Sequence, residues 1–251
     1  MASVQQHYDR HLGAVYGWMI GDFEAAKAAA RDELRAAGIS GGAGRTAIDL
    51  GAGPGAHAIA LADEGYAVTA IDTCVELLDE LQANAGDRSI RSIHDNLLRF
   101  REHCDGPVDA VLCMGDTLTH LESPASVEAL FAAIADVLAP GGVFLATFRD
   151  YASKALEGDA RVILVRQAKS RILTCFLEYG ETTVTVHDLL HQWTDGGWTL
   201  RVSSYPKLRL TPEWARSALE RVGLAASLEP GPRGMFRLRG RRPAHPGGRP
   251  E

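Results

Sequence analysis

The sequence predicts an α/β fold: a parallel sheet with helices on both faces and an antiparallel strand cap inserted late in the chain. Three observations carry that expectation. Short apolar runs alternate with helical stretches from residue 46 to about residue 147, the pattern of strands buried on both faces. The first run ends in Gly51-Ala52-Gly53-Pro54-Gly55, a turn in which backbone can approach a ligand without a Cβ in the way. From about Arg161 the helices stop, and strand-like runs follow one another with turns at Gly180 and Gly196-Gly197.

Taken in order, residues 1–40 read as helical. Ala14 to Ile20 forms an apolar patch, and Phe23 to Ala37 is rich in strong helix formers until Gly38 and Ser40-Gly41-Gly42-Ala43-Gly44 end it. Thr46 to Leu50, Ala67 to Ile71, Ile90 to Ile93, Val108 to Cys113 and Gly142 to Thr147 read as strands. Ala56 to Asp63, Cys74 to Asn84 and Val127 to Leu138 read as helices. Cap strands follow at Arg161 to Val165, Arg171 to Glu178 and Thr182 to Val186. Two more, Trp198 to Ser204 and Lys207 to Thr211, are split by Tyr205-Pro206. Thr211-Pro212-Glu213 opens a helix to about Val222, because threonine caps and a first-turn proline loses no needed hydrogen bond. Leu224 to Leu228 and Met235 to Arg239 close the core as an antiparallel pair. The expected organisation is a helical lid over 1–45, a ligand-binding core over 46–160, a cap over 161–210, completion of the core over 211–242 and a flexible tail over 243–251.

Composition narrows the function classes. A chain of 251 residues with 46% hydrophobic and 23% charged content is that of a soluble globular protein. A formal charge of -6 offers no global attraction to nucleic acid or an anionic membrane. The expected partner is therefore a small molecule, with a homodimer left open. Cys74, Cys104, Cys113 and Cys175 are scattered and read as reduced thiols. Met1 leads no signal peptide and no apolar run reaches membrane length, so the expected location is cytoplasmic. His187 and His191 invite a metal reading, but no third ligand accompanies them, and no metal is expected.

The chemistry-bearing signal is Ala47-Ile48-Asp49-Leu50-Gly51-Ala52-Gly53-Pro54-Gly55, an apolar strand running into a glycine turn and then a helix. Such a turn sits under a nucleotide cofactor at the carboxyl end of a sheet. The spacing alone also satisfies the looser dinucleotide fingerprint, so NAD stays open here. Asp72 ends the next strand, where its oxygens can accept two ribose hydroxyls; methyltransferases and NAD enzymes share that logic.

The run Asp49-Leu50-Gly51-Ala52-Gly53-Pro54-Gly55 resembles the first signature of class I methyltransferases that use S-adenosylmethionine. Ile93-His94-Asp95-Asn96 resembles their adenine-side segment. Val111 to Leu121 resembles the segment after the fourth strand in enzymes like glycine N-methyltransferase, and Pro140-Gly141-Gly142 the turn before the fifth. The resemblance covers about residues 47–151 and implies a Rossmann-like sheet, S-adenosyl-L-methionine as methyl donor and S-adenosyl-L-homocysteine as product. It places Asp49, Gly51, Ala52, Gly53, Gly55, Asp72, Thr73, Asp95, Asn96, Cys113 and Met114 on the cofactor side, Asp95 facing the adenine amine. For Cys113 and Met114, packing in the core is the preferred account.

For the acceptor, Asp116, His120, Arg149 and Tyr151 are the catalytic candidates, Arg149 as a fork for a carboxylate. Tyr8, Tyr16 and Trp18, with His11, form an expected aromatic lid, and Thr117 follows the fourth strand. His187, Tyr205 and Arg209 are cap candidates by position, beside His191, Lys207 and Arg233. The resemblance implies methyl transfer to an amine or amino acid. A small-molecule oxygen acceptor is the alternative, and a noncatalytic nucleotide-binding domain or an NAD-dependent oxidoreductase the readings from other classes.

Overall fold

A computed structural model describes residues 3–244, so the expected tail beyond Ala244 lies outside the described residues. The chain begins with α1 (Val4–His7), a π-helical turn (Tyr8–Leu12), α2 (Gly13–Ile20) and α3 (Phe23–Ala36). Ser3 and Gln6 form a reciprocal capping box on α1, and the Asp22 side chain caps α3. Then come β1 (Thr46–Leu50), α4 (Ala56–Asp63), β2 (Ala67–Asp72), α5 (Val75–Ala85), β3 (Ile90–His94), β4 (Val108–Cys113), α6 (Pro124–Val137) and β5 (Leu138–Phe148).

Four strands follow without an α-helix: β6 (Val162–Ala168), β7 (Arg171–Tyr179), β8 (Thr183–Thr194) and β9 (Gly197–Leu208). The chain then returns through α7 (Pro212–Arg221) to β10 (Ala225–Pro230) and β11 (Phe236–Arg241). The main sheet has the order β10-β11-β5-β4-β1-β2-β3. It is parallel from β5 to β3 and antiparallel where β11 meets β5 and β10. No helix among the described residues is long and apolar enough to cross a membrane.

Alternation along the central strands divides the core in two. Ile48, Leu50, Val111 and Phe144 point to one face, against Phe131 and Ile134 of α6 and Leu219 of α7. Ala47, Ala110, Leu112 and Leu145 point to the other, against Leu34, Leu61 and Leu81 of α3, α4 and α5. Burial on both faces leaves these strands no polar stripe, which is why they read as short continuous apolar runs.

The cap departs from expectation in two ways. β8 continues to Thr194 rather than ending near Val186. Its buried positions are Val184, Val186, Asp188 and Leu190, and the buried acid breaks the apolar alternation that marks a strand. β9 runs unbroken through Tyr205-Pro206. It is an edge strand of the sheet β6-β7-β8-β9, where a proline can turn its missing donor away from the ladder. Five expected strands are therefore four. α6 also starts at Pro124, with Ser123 accepting from Ser126 N at 3.1 Å.

The amino-terminal helices lie on this cap. His7 is wholly buried, with Nδ1 2.9 Å from Ser203 Oγ and Nε2 3.1 Å from Asp188 Oδ2. Its ring stacks on Tyr205 at 4.0 Å.

Candidate functional site

Core, amino-terminal helices and cap enclose a cavity of about 950 Å³ at the carboxyl ends of β1, β2 and β4. That lies at the upper end of the range for small-molecule sites. The floor is the glycine turn after β1. Gly51 N and Ala52 N donate to Ile71 O at 2.8 and 3.0 Å. Gly51 has φ of +71°, and a Cβ there would lie 2.5 Å from Thr117 Cγ2. The Thr117 hydroxyl donates to Met114 O at 2.7 Å, so that neighbour is itself fixed. Gly53 N reaches the Asp72 carboxylate, while Gly55 lies behind the turn against Leu81.

Asp72 ties the floor together. Its Oδ2 accepts from Gly53 N at 2.8 Å and its Oδ1 from Cys74 N at 2.9 Å, joining the glycine turn to the start of α5. Burial raises its pKa, and backbone donors from Cys74, Gly53 and Thr73 work against that rise. Asp49 is buried below the same turn, and its Oδ2 has no hydrogen-bond partner. Burial pushes its carboxyl up to about 6, with His57 opposing. The far wall carries Asp95, Asn96, Leu97 and Leu98. Asp95 Oδ2 is 2.8 Å from His103 Nε2, and Oδ1 accepts from Asn96 N at 2.8 Å. The His103 bond is the main reason its carboxyl is held below the usual range.

The side of the cavity towards the cap is built around Asp116. Its φ is +77°, a left-handed conformation that few side chains adopt. Oδ1 accepts from Arg149 N at 2.9 Å, while Oδ2 accepts from Tyr151 OH at 2.9 Å and from Lys207 Nζ. Burial alone would lower the Lys207 pKa, but Asp116 and its neighbours raise it, so the ammonium stays charged. Burial raises that of Tyr151, which stays a phenol. The cluster is a buried, balanced ion pair that fixes the turn after β4 to β9.

Above it lies an aromatic wall. His120 stacks on Tyr205 at 5.6 Å and 10°, and meets Tyr8 edge-on at 5.9 Å; Tyr8 lies 6.0 Å from Tyr16. His120 lines the cavity, and its Nδ1 has no partner. Burial, then the nearby Lys207 charge, holds its pKa well below the usual histidine value. It is therefore a neutral imidazole with an unpartnered nitrogen.

Of the residues singled out from sequence, Tyr8, Tyr16, Asp49, Gly51, Ala52, Gly53, Asp72, Thr73, Asp95, Asn96, Met114, Thr117, His120, Lys207 and Arg233 line the cavity. Cys113 is sealed in the core, and Asp116 and Tyr151 stand behind the wall as support. Tyr205 is covered by His7 and His120. Four candidates are turned elsewhere. Arg149 Nη1 donates to Arg233 O at 2.8 Å, so its fork is committed to a loop rather than to a ligand. Arg209 is spent on the carbonyls of Tyr151, Ala152 and Gly180. Trp18 packs beneath Arg166 and Arg171. His187 is bound by Ser204 and Glu178 away from the cavity.

Sequence reasoning gave no role to the His7–Asp188 pair, to Leu97 and Leu98, or to Glu33 and His57 on the cavity wall. Lys207 appeared only as one cap residue among several. Its partner lies 91 positions away, a separation no local motif displays.

Comparison with known proteins agrees with this construction. Residues 47–142 match a family described as a methyltransferase domain. The chain is 31% identical over 106 residues to the glycine/sarcosine N-methyltransferase of Aphanothece halophytica, covering 41% of this chain and 40% of that one. It is 31% identical over 166 residues to the cypemycin N-terminal methyltransferase of Streptomyces sp, covering 60% and 66%. The matches thus span about two fifths to two thirds of those relatives. The CcbJ methyltransferase of Streptomyces caelestis superposes with a TM-score of 0.77 at 19% identity, over 96% of this chain and 99% of that one. CalS10, an amino pentose methyltransferase from Micromonospora echinaspora, gives 0.74 at 20%, over 91% and 95%. At those identities the agreement concerns the fold, which is the Rossmann-like architecture of class I methyltransferases. The match over residues 47–142 and the shared fold together support the class I S-adenosylmethionine-dependent methyltransferase superfamily.

Proposed function

We propose that this chain methylates a nitrogen of a small-molecule amine or amino acid with S-adenosylmethionine. The observation that carries the reading is His120: a half-buried, neutral imidazole that lines the cavity floored by the glycine turn and whose Nδ1 has no hydrogen-bond partner. A protonated amine must lose a proton before its lone pair can attack, and a positioned base accepts it. The aromatic faces of Tyr8 and Tyr16 favour a cationic amine beside them. Of the relatives named above, the glycine/sarcosine enzyme is an N-methyltransferase by name, which supports nitrogen over oxygen.

The residues present suit the donor. The glycine turn leaves backbone open to it, Asp72 has lone pairs left for ribose hydroxyls, and the unpartnered Asp49 Oδ2 suits an ammonium. When bound, S-adenosylmethionine supplies an electrophilic methyl group. The protein's share is to hold the nucleophile in line and to exclude water, and Asp116, Lys207 and Tyr151 keep the acceptor wall rigid for that purpose.

Incubation with labelled S-adenosylmethionine and a panel of amines, amino acids, phenols and RNA, followed by product mass spectrometry, tests the reading. Label is expected on nitrogen; transfer confined to phenols would establish the oxygen reading instead. His120→Ala is expected to lower kcat for an amine by about 10²–10⁴-fold while S-adenosylhomocysteine still binds. Unchanged kcat across pH would remove the proposed base.

A further inference from the structure

We propose that the outer face of the four-stranded sheet is the contact surface for a second copy of this chain. In a cap sheet that only roofs a cavity, one face is apolar and the other polar. This sheet carries large apolar side chains on both. Its inner positions carry Leu173, Leu177, Val184, Val186 and Leu190, all buried. The opposite positions form cross-strand rows set by the register. Val162, Phe176, His187 and Ser204 form one row, and Leu164, Thr174, Leu189 and Val202 form the next. Gln167, Ile172, His191 and Leu200 follow, then the pair Trp193–Trp198.

Val162, Leu164, Trp193, Trp198, Leu200 and Val202 are each between 48% and 57% exposed. Isolated apolar residues on a surface are ordinary, but a continuous patch marks an interaction site. β6 is apolar and exposed on its other side too, at Ile163 and Val165, so the contact takes in the free edge of the sheet.

Size and charge identify the occupant. The strands hold 7, 9, 12 and 12 residues; at strand rise and spacing the face projects to roughly 600 Å². Its corrugated accessible area is larger, close to the ~800 Å² per partner of a stable protein interface. The rows contain no Lys, Arg, Asp or Glu. Charge enters only at the rim, in Arg161 over Phe176 and in the Glu178–His187 pair. An uncharged apolar centre with a polar rim is complementary to itself, as a two-fold contact requires. An anionic lipid surface would instead call for cations on the face. The contact would lie back to back with the strands that carry Asp188, Tyr205 and Lys207, bracing the acceptor wall from outside.

Sedimentation of the full chain at micromolar concentration is expected to show twice the chain mass. Leu164→Asp combined with Val202→Asp is expected to give a monomer with unchanged circular dichroism and unchanged S-adenosylhomocysteine affinity. The unsubstituted chain provides a second readout: its tryptophan emission should shift to the red on dilution, as Trp193 and Trp198 meet water. A parent chain that stays monomeric overturns the proposal. So does a dimer that survives the double substitution, or one that dissociates without the emission shift. A monomeric chain that instead binds phosphatidylcholine–phosphatidylglycerol vesicles assigns the face to lipid and overturns it equally.

Discussion

The two halves of the cavity are held by different kinds of bond. On the cofactor side, backbone does the holding: Gly51 N and Ala52 N reach Ile71 O, and Asp72 accepts from Gly53 N and Cys74 N. Each contact spans about 20 residues or fewer and depends on conformation more than on side-chain identity. On the acceptor side, side chains hold one another. Asp116 gathers Arg149, Tyr151 and Lys207, and Asp188 gathers His7 and Cys175. One half is a local device repeated wherever a nucleotide meets a sheet. The other is a charge balance among distant segments, with many equivalent solutions in sequence.

The comparison breaks most visibly at Asp116. Asp116→Ala leaves the Lys207 ammonium buried without its partner, in a cluster almost sealed from water. Removing one member of a buried pair costs ~3–5 kcal/mol, largely the penalty of the stranded charge. Urea unfolding of parent and variant should show that loss as a lower midpoint at unchanged slope. Lys207→Met together with Asp116→Ala should recover part of it, because no charge is then stranded. A loss below about 1 kcal/mol would mean the acceptor wall does not depend on this pair.

The same contrast explains what could be read beforehand. β1, α4 and β4 fall on the residues expected from sequence, because glycine, apolar runs and caps act over a few positions. The glycine turn and Asp72 were legible for the same reason. Arg149 was expected to face a carboxylate, since an arginine after a strand at the open end can do so. What sequence could not show was the Arg233 carbonyl, 84 positions on, that takes its Nη1. Asp188 hid in a strand whose alternation it interrupts. Its partner His7 stood in a lid whose side chains had no visible orientation.

A smaller effect tests the cofactor side through pH. Burial pushes the Asp49 carboxyl up to about 6. A carboxyl raised on folding contributes stability that is complete below its unfolded pKa, near pH 4, and lost as pH rises through 6. The shift is worth ~2–3 kcal/mol. Thermal unfolding of the cofactor-free chain should therefore show falling stability between about pH 4 and pH 6.5, and Asp49→Asn should flatten that slope. If the donor's ammonium sits against Asp49, binding also expels the shared proton. Calorimetry near pH 6 in buffers of different ionisation heat should detect its release. Equal slopes in parent and variant would show that Asp49 meets water.

Asp72→Ala sharpens the comparison from the other side. The carboxylate accepts from backbone amides with both oxygens, and Asp72 lines the cavity. Losing it should weaken S-adenosylhomocysteine binding by ~1–3 kcal/mol, about 5- to 150-fold. Unfolding free energy should fall by less than in Asp116→Ala, because no opposite charge is left buried and unpaired. Asp72→Asn should rescue little: whichever way the amide is turned, its NH2 faces an N–H of Gly53 or Cys74. The two residues are thus expected to exchange signatures, Asp72 moving affinity and Asp116 moving stability. Were Asp72→Ala to cost as much stability as Asp116→Ala, the cofactor floor would also be a side-chain construction. The legibility of the glycine turn would then owe nothing to backbone self-sufficiency.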